Sequence, residues 1–168
     1  MTPAPLSKPI DPQRAEQLMR RAIELGRQGM QAGDGGPFGA VIVRDGEIVG
    51  EGWNRVVATN DPTAHGEVVA IRDACRRAGT FDLSGCELYT SGEPCPMCLA
   101  AIYWARIDRV FYGFGIEDAA RIGFDDRVIY QELVKPPGAR AIAEAQLLEG
   151  EARAVLEAYA ADPARVRY

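Results

Sequence analysis

Phe38-Gly39-Ala40-Val41-Ile42-Val43-Arg44-Asp45-Gly46-Glu47-Ile48-Val49-Gly50-Glu51-Gly52-Trp53 holds two apolar runs, Phe38 to Arg44 and Glu47 to Trp53, divided by Asp45-Gly46. An Asp-Gly pair between such runs predicts a hairpin, because both residues tolerate the left-handed backbone that a two-residue turn demands. Upstream, Ala15 to Gln31 reads as a helix, with Leu18, Met19, Ala22, Ile23 and Leu25 on one side at helical spacing. Gly33-Asp34-Gly35-Gly36-Pro37 ends it. Downstream, Asn54 to Pro62 reads as a polar loop, and Thr63 or Asp61 is placed to cap a helix running to about Ala78, closed by Gly79. Cys86 to Thr90 reads as a short buried strand, Ser91-Gly92-Glu93-Pro94 as a turn, Pro96 to Arg106 as a helix and Arg109 to Tyr112 as a strand.

A loop-rich stretch follows through Asp126, and Val128 to Val134 reads as a short helix or an extended segment. Beyond the break at Pro136-Pro137-Gly138, Ala141 to Leu148 reads as a last strand and Glu149 to Tyr159 as a last helix. A hairpin followed by alternating helices and strands predicts an α/β protein, a three-layer α/β/α sandwich around a mixed sheet of about five strands.

Composition narrows the class. The chain has 168 residues, enough for one domain with a proper core. Hydrophobic residues make up 47% and charged residues 26%, the ordinary globular balance. No run approaches the roughly 18 apolar residues of a membrane span. Met1 to Pro12 carries four prolines and no apolar run, so it reads as a flexible tail rather than a secretory signal, leaving 13–168 as a single domain. Nineteen basic against 24 acidic residues give a net charge of −5. The pI near 5.0 argues against a nucleic-acid binder, whose affinity rests on neutralising phosphates. Four cysteines without an export signal point to reduced thiols and a cytoplasmic setting, where clustered cysteines suggest metal.

The single histidine stands in Thr63-Ala64-His65-Gly66-Glu67, and Pro94-Cys95-Pro96-Met97-Cys98 begins 29 positions after His65. Cysteines three apart on a helix project from one face, so Cys95 and Cys98 can grip one ion. The positive end of that helix favours their thiolates. His65 supplies a third ligand. Three protein ligands leave one tetrahedral position open, the arrangement of catalytic zinc, at one ion per chain. Taken alone, a Cys-x-x-Cys also fits a redox pair or half of a structural zinc site, and a His-x-Glu occurs by chance. A structural site lacks its fourth ligand, because no second histidine exists and Cys75 and Cys86 sit in apolar settings that suit inert buried residues.

Together, His65-x-Glu67 and Pro94-Cys95-x-x-Cys98 resemble the signature of the zinc deaminases. The chemistry accounts for the residue types. Hydrolytic deamination attacks a ring carbon with water and expels ammonia, and zinc can bring the pKa of water from 15.7 to about 7. Glu67 is placed to take a proton from the attacking water, pass it to a ring nitrogen and then help protonate the leaving amine.

The segments Gly35–Val43, Asn60–Ile71 and Tyr89–Phe111 resemble the cytidine deaminase superfamily. Within it, Gly36 to Val43, Asn60 to His65, Ala101 to Arg106, Gly123-Phe124-Asp125-Asp126 and the terminal Tyr168 are similar to the small bacterial guanine deaminases. The resemblance implies conversion of guanine to xanthine and ammonia, with guanine recognised by Asn54 and Asp126 and flanked by Phe38 and Trp104. It also implies a homodimer in which a C-terminal segment, 136–168, crosses over so that Tyr168 closes the partner's site. Guanosine, a related nucleoside or an aminotriazine is the alternative substrate. A tRNA adenosine deaminase shares the motif, but would need an open site and a basic track. A zinc module without activity would have no use for Glu67. Gly66 departs from the alanine more familiar inside this motif, and Gly92 precedes Glu93; the smaller Gly66, beside the substrate, is expected to widen the pocket.

Overall fold

A computed structural model describes residues 11–167. The expected tail, Met1 to Pro12, lies outside them except for its last two residues. Asp11 caps the first helix, α1 (Pro12–Gln31), its carboxylate accepting the Gln13 N–H at 3.0 Å, and Pro12 opens it. The helix therefore starts three residues before the periodic stretch that announces it. Its buried stripe, Leu18, Ala22, Leu25, Gly26 and Gly29, faces the sheet.

The hairpin forms as its sequence predicts. β1 (Gly39–Arg44) and β2 (Glu47–Trp53) pair antiparallel, and Asp45 and Gly46 take φ of 51° and 83° between them. The register shifts by a residue after Ile42, a bulge that adds twist to the strand. β1 also pairs antiparallel with β3 (Cys86–Gly92), which pairs parallel with β4 (Arg109–Phe114), giving the order β2-β1-β3-β4. A parallel pair needs a crossover, supplied here by a helix, α4 (Pro96–Trp104).

Alternation along the strands builds two core layers. Ala40, Ile42 and Leu88 pack with Ala70, Ala74, Leu83, Ile102 and Ala105, on the side of α3 (Gly66–Ala78) and α4. Val41, Val43 and Tyr89 pack against Leu18, Ala22 and Leu25 of α1. The result is the three-layer sandwich with a mixed sheet. α3 lies very close on β2: a Cβ added at Gly52 would come within 2.4 Å of the Ala70 nitrogen and 2.5 Å of the Gly66 carbonyl oxygen.

Several boundaries differ from expectation. α3 is preceded by His65, not by Thr63 or Asp61, because the Asp61 carboxylate is spent on the Thr63 N–H (2.8 Å) and hydroxyl (2.6 Å). Its end at Gly79, with φ of 65°, is as expected. The polar loop after Asn54 contains a short helix, α2 (Val56–Thr59), and the stretch before Asp126 contains α5 (Ile116–Arg121). The sheet has four strands among the described residues, not about five. Ala141–Leu148 is irregular and exposed; three alanines and two acidic or amide side chains give it little β preference.

The chain divides into two compact units, the first ending at Asp126 and the second starting at Arg127. The first holds the sheet and α1 to α5. The second holds α6 (Arg127–Leu133), where Val128 to Val134 was open between helix and strand, and α7 (Glu149–Ala161). Val155 and Leu156 of α7 are largely exposed.

Candidate active site

Two helix N-termini converge on one spot. His65 precedes the first turn of α3, and Cys95 is the N-cap of α4, its sulfur accepting the Cys98 N–H at 3.5 Å. Pro96 at the first helical position fixes the entry into α4. His65 makes no capping bond, so its ring is free to turn toward the sulfurs. His65 Nδ1 lies 3.5 Å from Cys95 Sγ and 3.5 Å from Cys98 Sγ, and the three ligand atoms all fall within 4.8 Å of one another. A tetrahedral zinc with Zn–S near 2.3 Å and Zn–N near 2.1 Å sets an N···S edge of about 3.6 Å. The residues fit the ion. Among the described residues this is the one such group of potential ligands.

Glu67, in the first turn of α3, is buried and stands 3.4 Å from Cys98 Sγ. Burial pushes its carboxyl up, and the Cys95 charge adds to that. Cys95 is held well below the usual thiol range by its hydrogen bond with Cys98, while Cys98 is pushed far up by the same bond and by burial. Cys95 thus carries the thiolate of the pair, and a cation held by the two sulfurs would draw off the Cys98 proton. His65 is raised, chiefly by its hydrogen bond to Cys95.

Around this group stand three of the expected substrate residues. Asn54, buried at the end of β2, donates its backbone N–H to the Phe38 carbonyl at 2.8 Å. Its Oδ1 accepts the Val56 N–H at 3.2 Å, which orients the carboxamide and leaves its Nδ2 donors to offer. Asp126 is half-buried; burial raises its carboxyl, and the Cys95 thiolate raises it further. Phe38 packs edge-on against Phe124, centroids 5.0 Å apart, and tilted against Phe114 at 5.8 Å. Trp104 ends α4 with 68% of its surface exposed, six residues and about 9 Å of helix beyond Cys98. Tyr168 lies outside the described residues.

Other residues shape the site without having been singled out. The Ser91 hydroxyl accepts the Gly39 N–H (3.1 Å) and donates to the Pro37 carbonyl (3.4 Å), bracketing Phe38 on both sides. A Cβ at Gly35 would stand 2.1 Å from Asn54 Oδ1, so only glycine leaves that carboxamide its place. The Gly35-Gly36-Pro37 run was the available signal, legible as a helix stop but not as a seat. Cys75 and Cys86 are free thiols pushed up by burial, consistent with inert packing.

Residues 12–114 match the family model of the cytidine and deoxycytidylate deaminase zinc-binding region. The chain belongs to this deaminase family. A guanine deaminase of Bacillus subtilis is 58% identical over 127 residues, 76% of this chain and 81% of the relative. The X-ray structure of guanine deaminase from Bacillus subtilis aligns with a TM-score of 0.88 at 50% identity, covering 91% of this chain and 98% of that one. A tRNA-specific adenosine deaminase of Aquifex aeolicus is 42% identical over 97 residues, 58% of this chain and 64% of the relative. No described helix is long and apolar enough to cross a membrane.

Proposed function

We propose that this chain hydrolyses guanine to xanthine and ammonia. The observation that carries the reading is the 58% identity to a guanine deaminase across most of both chains, in a protein whose His65, Cys95 and Cys98 converge beside a buried Glu67. The same reading places the reaction in the cytoplasm, on a small purine and not on nucleic acid; the acidic pI near 5.0 supports that choice over the tRNA alternative.

Zinc, when bound, supplies the Lewis acidity that makes water a nucleophile at neutral pH. The chain's own residues do the rest. Glu67 takes a proton from the attacking water, passes it to the ring nitrogen next to the amino-bearing carbon, and serves the departing amine as acid. The amine leaves as ammonia and the water oxygen stays on the ring as the new carbonyl. Asn54 Nδ2 donates to a ring acceptor, and the Asp126 carboxylate accepts ring N–H groups. Phe38, backed by Phe114 and Phe124, offers an aromatic face to the flat base.

Ammonia release across guanine, guanosine, adenine and cytosine tests the reading. Guanine is expected to turn over while adenine and cytosine, which leave the site's polar groups unpaired, are poor by several kcal/mol. Asn54→Ala should cost about 2 kcal/mol, roughly thirtyfold in kcat/KM, with zinc retained. Preference for guanosine in the intact protein would overturn the base assignment and leave the deaminase chemistry standing.

The reading extends to a homodimer in which 136–168 crosses to the other subunit and Tyr168 covers the partner's site. Tyr103 and Trp104 at the end of α4 are 65% and 68% exposed, and Val155 and Leu156 of α7 are exposed as well, apolar side chains on each unit that a second copy would cover. Light scattering should give twice the chain mass. Removal of the last few residues should lower guanine turnover or admit guanosine; a fully active monomer would refute the crossing.

A further inference from the structure

We propose that Phe114 is a positioning residue: its ring, seated in the space that Gly92 leaves by having no side chain, braces the Phe38 ring against which the base lies. The inference rests on the guanine reading and gives a task to a glycine that the sequence singled out and that reading left without one. Of the two such glycines, Gly66, expected to widen the pocket, points its missing Cβ at the Phe38 carbonyl oxygen, 3.0 Å off. Gly92 does not need glycine for its backbone, since it takes no left-handed φ and closes β3 as an ordinary strand residue. It needs the space. Gly92 and Phe114 are direct partners in the parallel β3–β4 pair, so their side-chain positions lie on the same face of the sheet. A Cβ on Gly92 would stand 2.6 Å from Phe114 Cε2 and 2.7 Å from Cζ, so the ring lies across the bare backbone there.

The backbone around Phe114 has little freedom to yield. Its carbonyl accepts the Glu93 N–H at 2.9 Å, and two residues on, the Ile116 N–H donates to the Glu93 carboxylate at 3.0 Å. The atoms that a Cβ would meet are the far end of the ring, which turns about the Phe114 side-chain bonds. A methyl at Gly92 thus moves the ring and leaves the strand. The ring cannot advance into Phe38, which Phe124 meets edge-on at 5.0 Å while the Ser91 hydroxyl holds the residues before and after it. It swings off, and Phe38 loses its tilted partner at 5.8 Å. A Phe38 ring with one brace of two has to be ordered again each time the base binds. The base meets that face before and during reaction alike, so the loss falls on KM and spares kcat.

Guanine deamination by Phe114→Ala, Gly92→Ala and the double variant is compared with wild type, each at measured zinc content. Each single change is expected to raise KM roughly 3- to 10-fold, the cost of ordering one loosened side chain on binding, with kcat per bound zinc within about twofold. The double variant is expected at the KM of Phe114→Ala alone, because the methyl then has no ring to displace. A wild-type KM in Phe114→Ala overturns the proposal, as does a double variant whose KM carries the product of the two single effects. So does a loss confined to kcat or to zinc content, which is what a merely structural role would give. If Gly92→Ala alone does not fold, the double variant decides: folding restored at the Phe114→Ala KM supports the seat, and failure of both overturns it. If wild type releases ammonia from another ring and not from guanine, the guanine reading falls alone, and the same comparison on that ring decides the role of Phe114. Release from no ring overturns both.

Discussion

Glu67→Gln is expected to keep its zinc and lose turnover by roughly 10²- to 10⁴-fold, the usual contribution of a positioned acid–base group. The change is nearly isosteric, and the glutamine amide can still reach Cys98 Sγ, 3.4 Å from the Glu67 carboxylate, so the buried pocket keeps a polar partner there. What disappears is the capacity to hold a proton and give it back. Burial works toward that capacity by pushing the Glu67 carboxyl upward, closer to the range in which one group both accepts from water and returns the proton to the ring. Metal analysis alongside steady-state ammonia release checks the expectation. Zinc and activity lost together would make Glu67 a structural support, and retained activity would move the shuttle to Asp126.

The parts of the molecule legible in sequence are those fixed by neighbours along the chain. Asp45-Gly46 announces a turn whose geometry only a few residues satisfy, and Gly79 ends α3 for the same kind of reason. The ligand group was legible because its spacing repeats a known chemistry and because the chain has a single histidine to place. The rest depends on contacts across space. Nothing in the spacing shows that the Ser91 hydroxyl meets Gly39, 52 residues away, or that Gly66 faces the Phe38 carbonyl. The start of α3 was misplaced because Asp61 had two possible clients and closes its own turn instead. The extra strand was read from an apolar run whose alanines suit a strand poorly, and α5 is a six-residue helix whose length gives almost no periodic signal.

Cys98→Ala is expected to abolish stable zinc binding and, with it, activity. Cys98 is completely buried at the start of α4, and its sulfur is one of three ligand atoms within 4.8 Å of one another. His65 and Cys95 alone leave a two-ligand site, below the three that hold a catalytic zinc. The structure also gives the direction of the pH dependence. The hydrogen bond to the Cys95 thiolate, with burial behind it, pushes the Cys98 thiol far up, so its proton must leave when the ion binds. The raised His65 ring must likewise be neutral to coordinate. Binding the ion therefore expels protons, and wild-type affinity should rise with pH and weaken steadily as the solution is acidified. Dialysis against a zinc chelator at a series of pH values, with elemental analysis of the retained protein, measures both expectations. A Cys98→Ala protein that keeps a full equivalent of zinc would place the ion outside this group, and an affinity that ignores pH would mean that both sulfurs are ionised and the His65 ring neutral before the metal arrives.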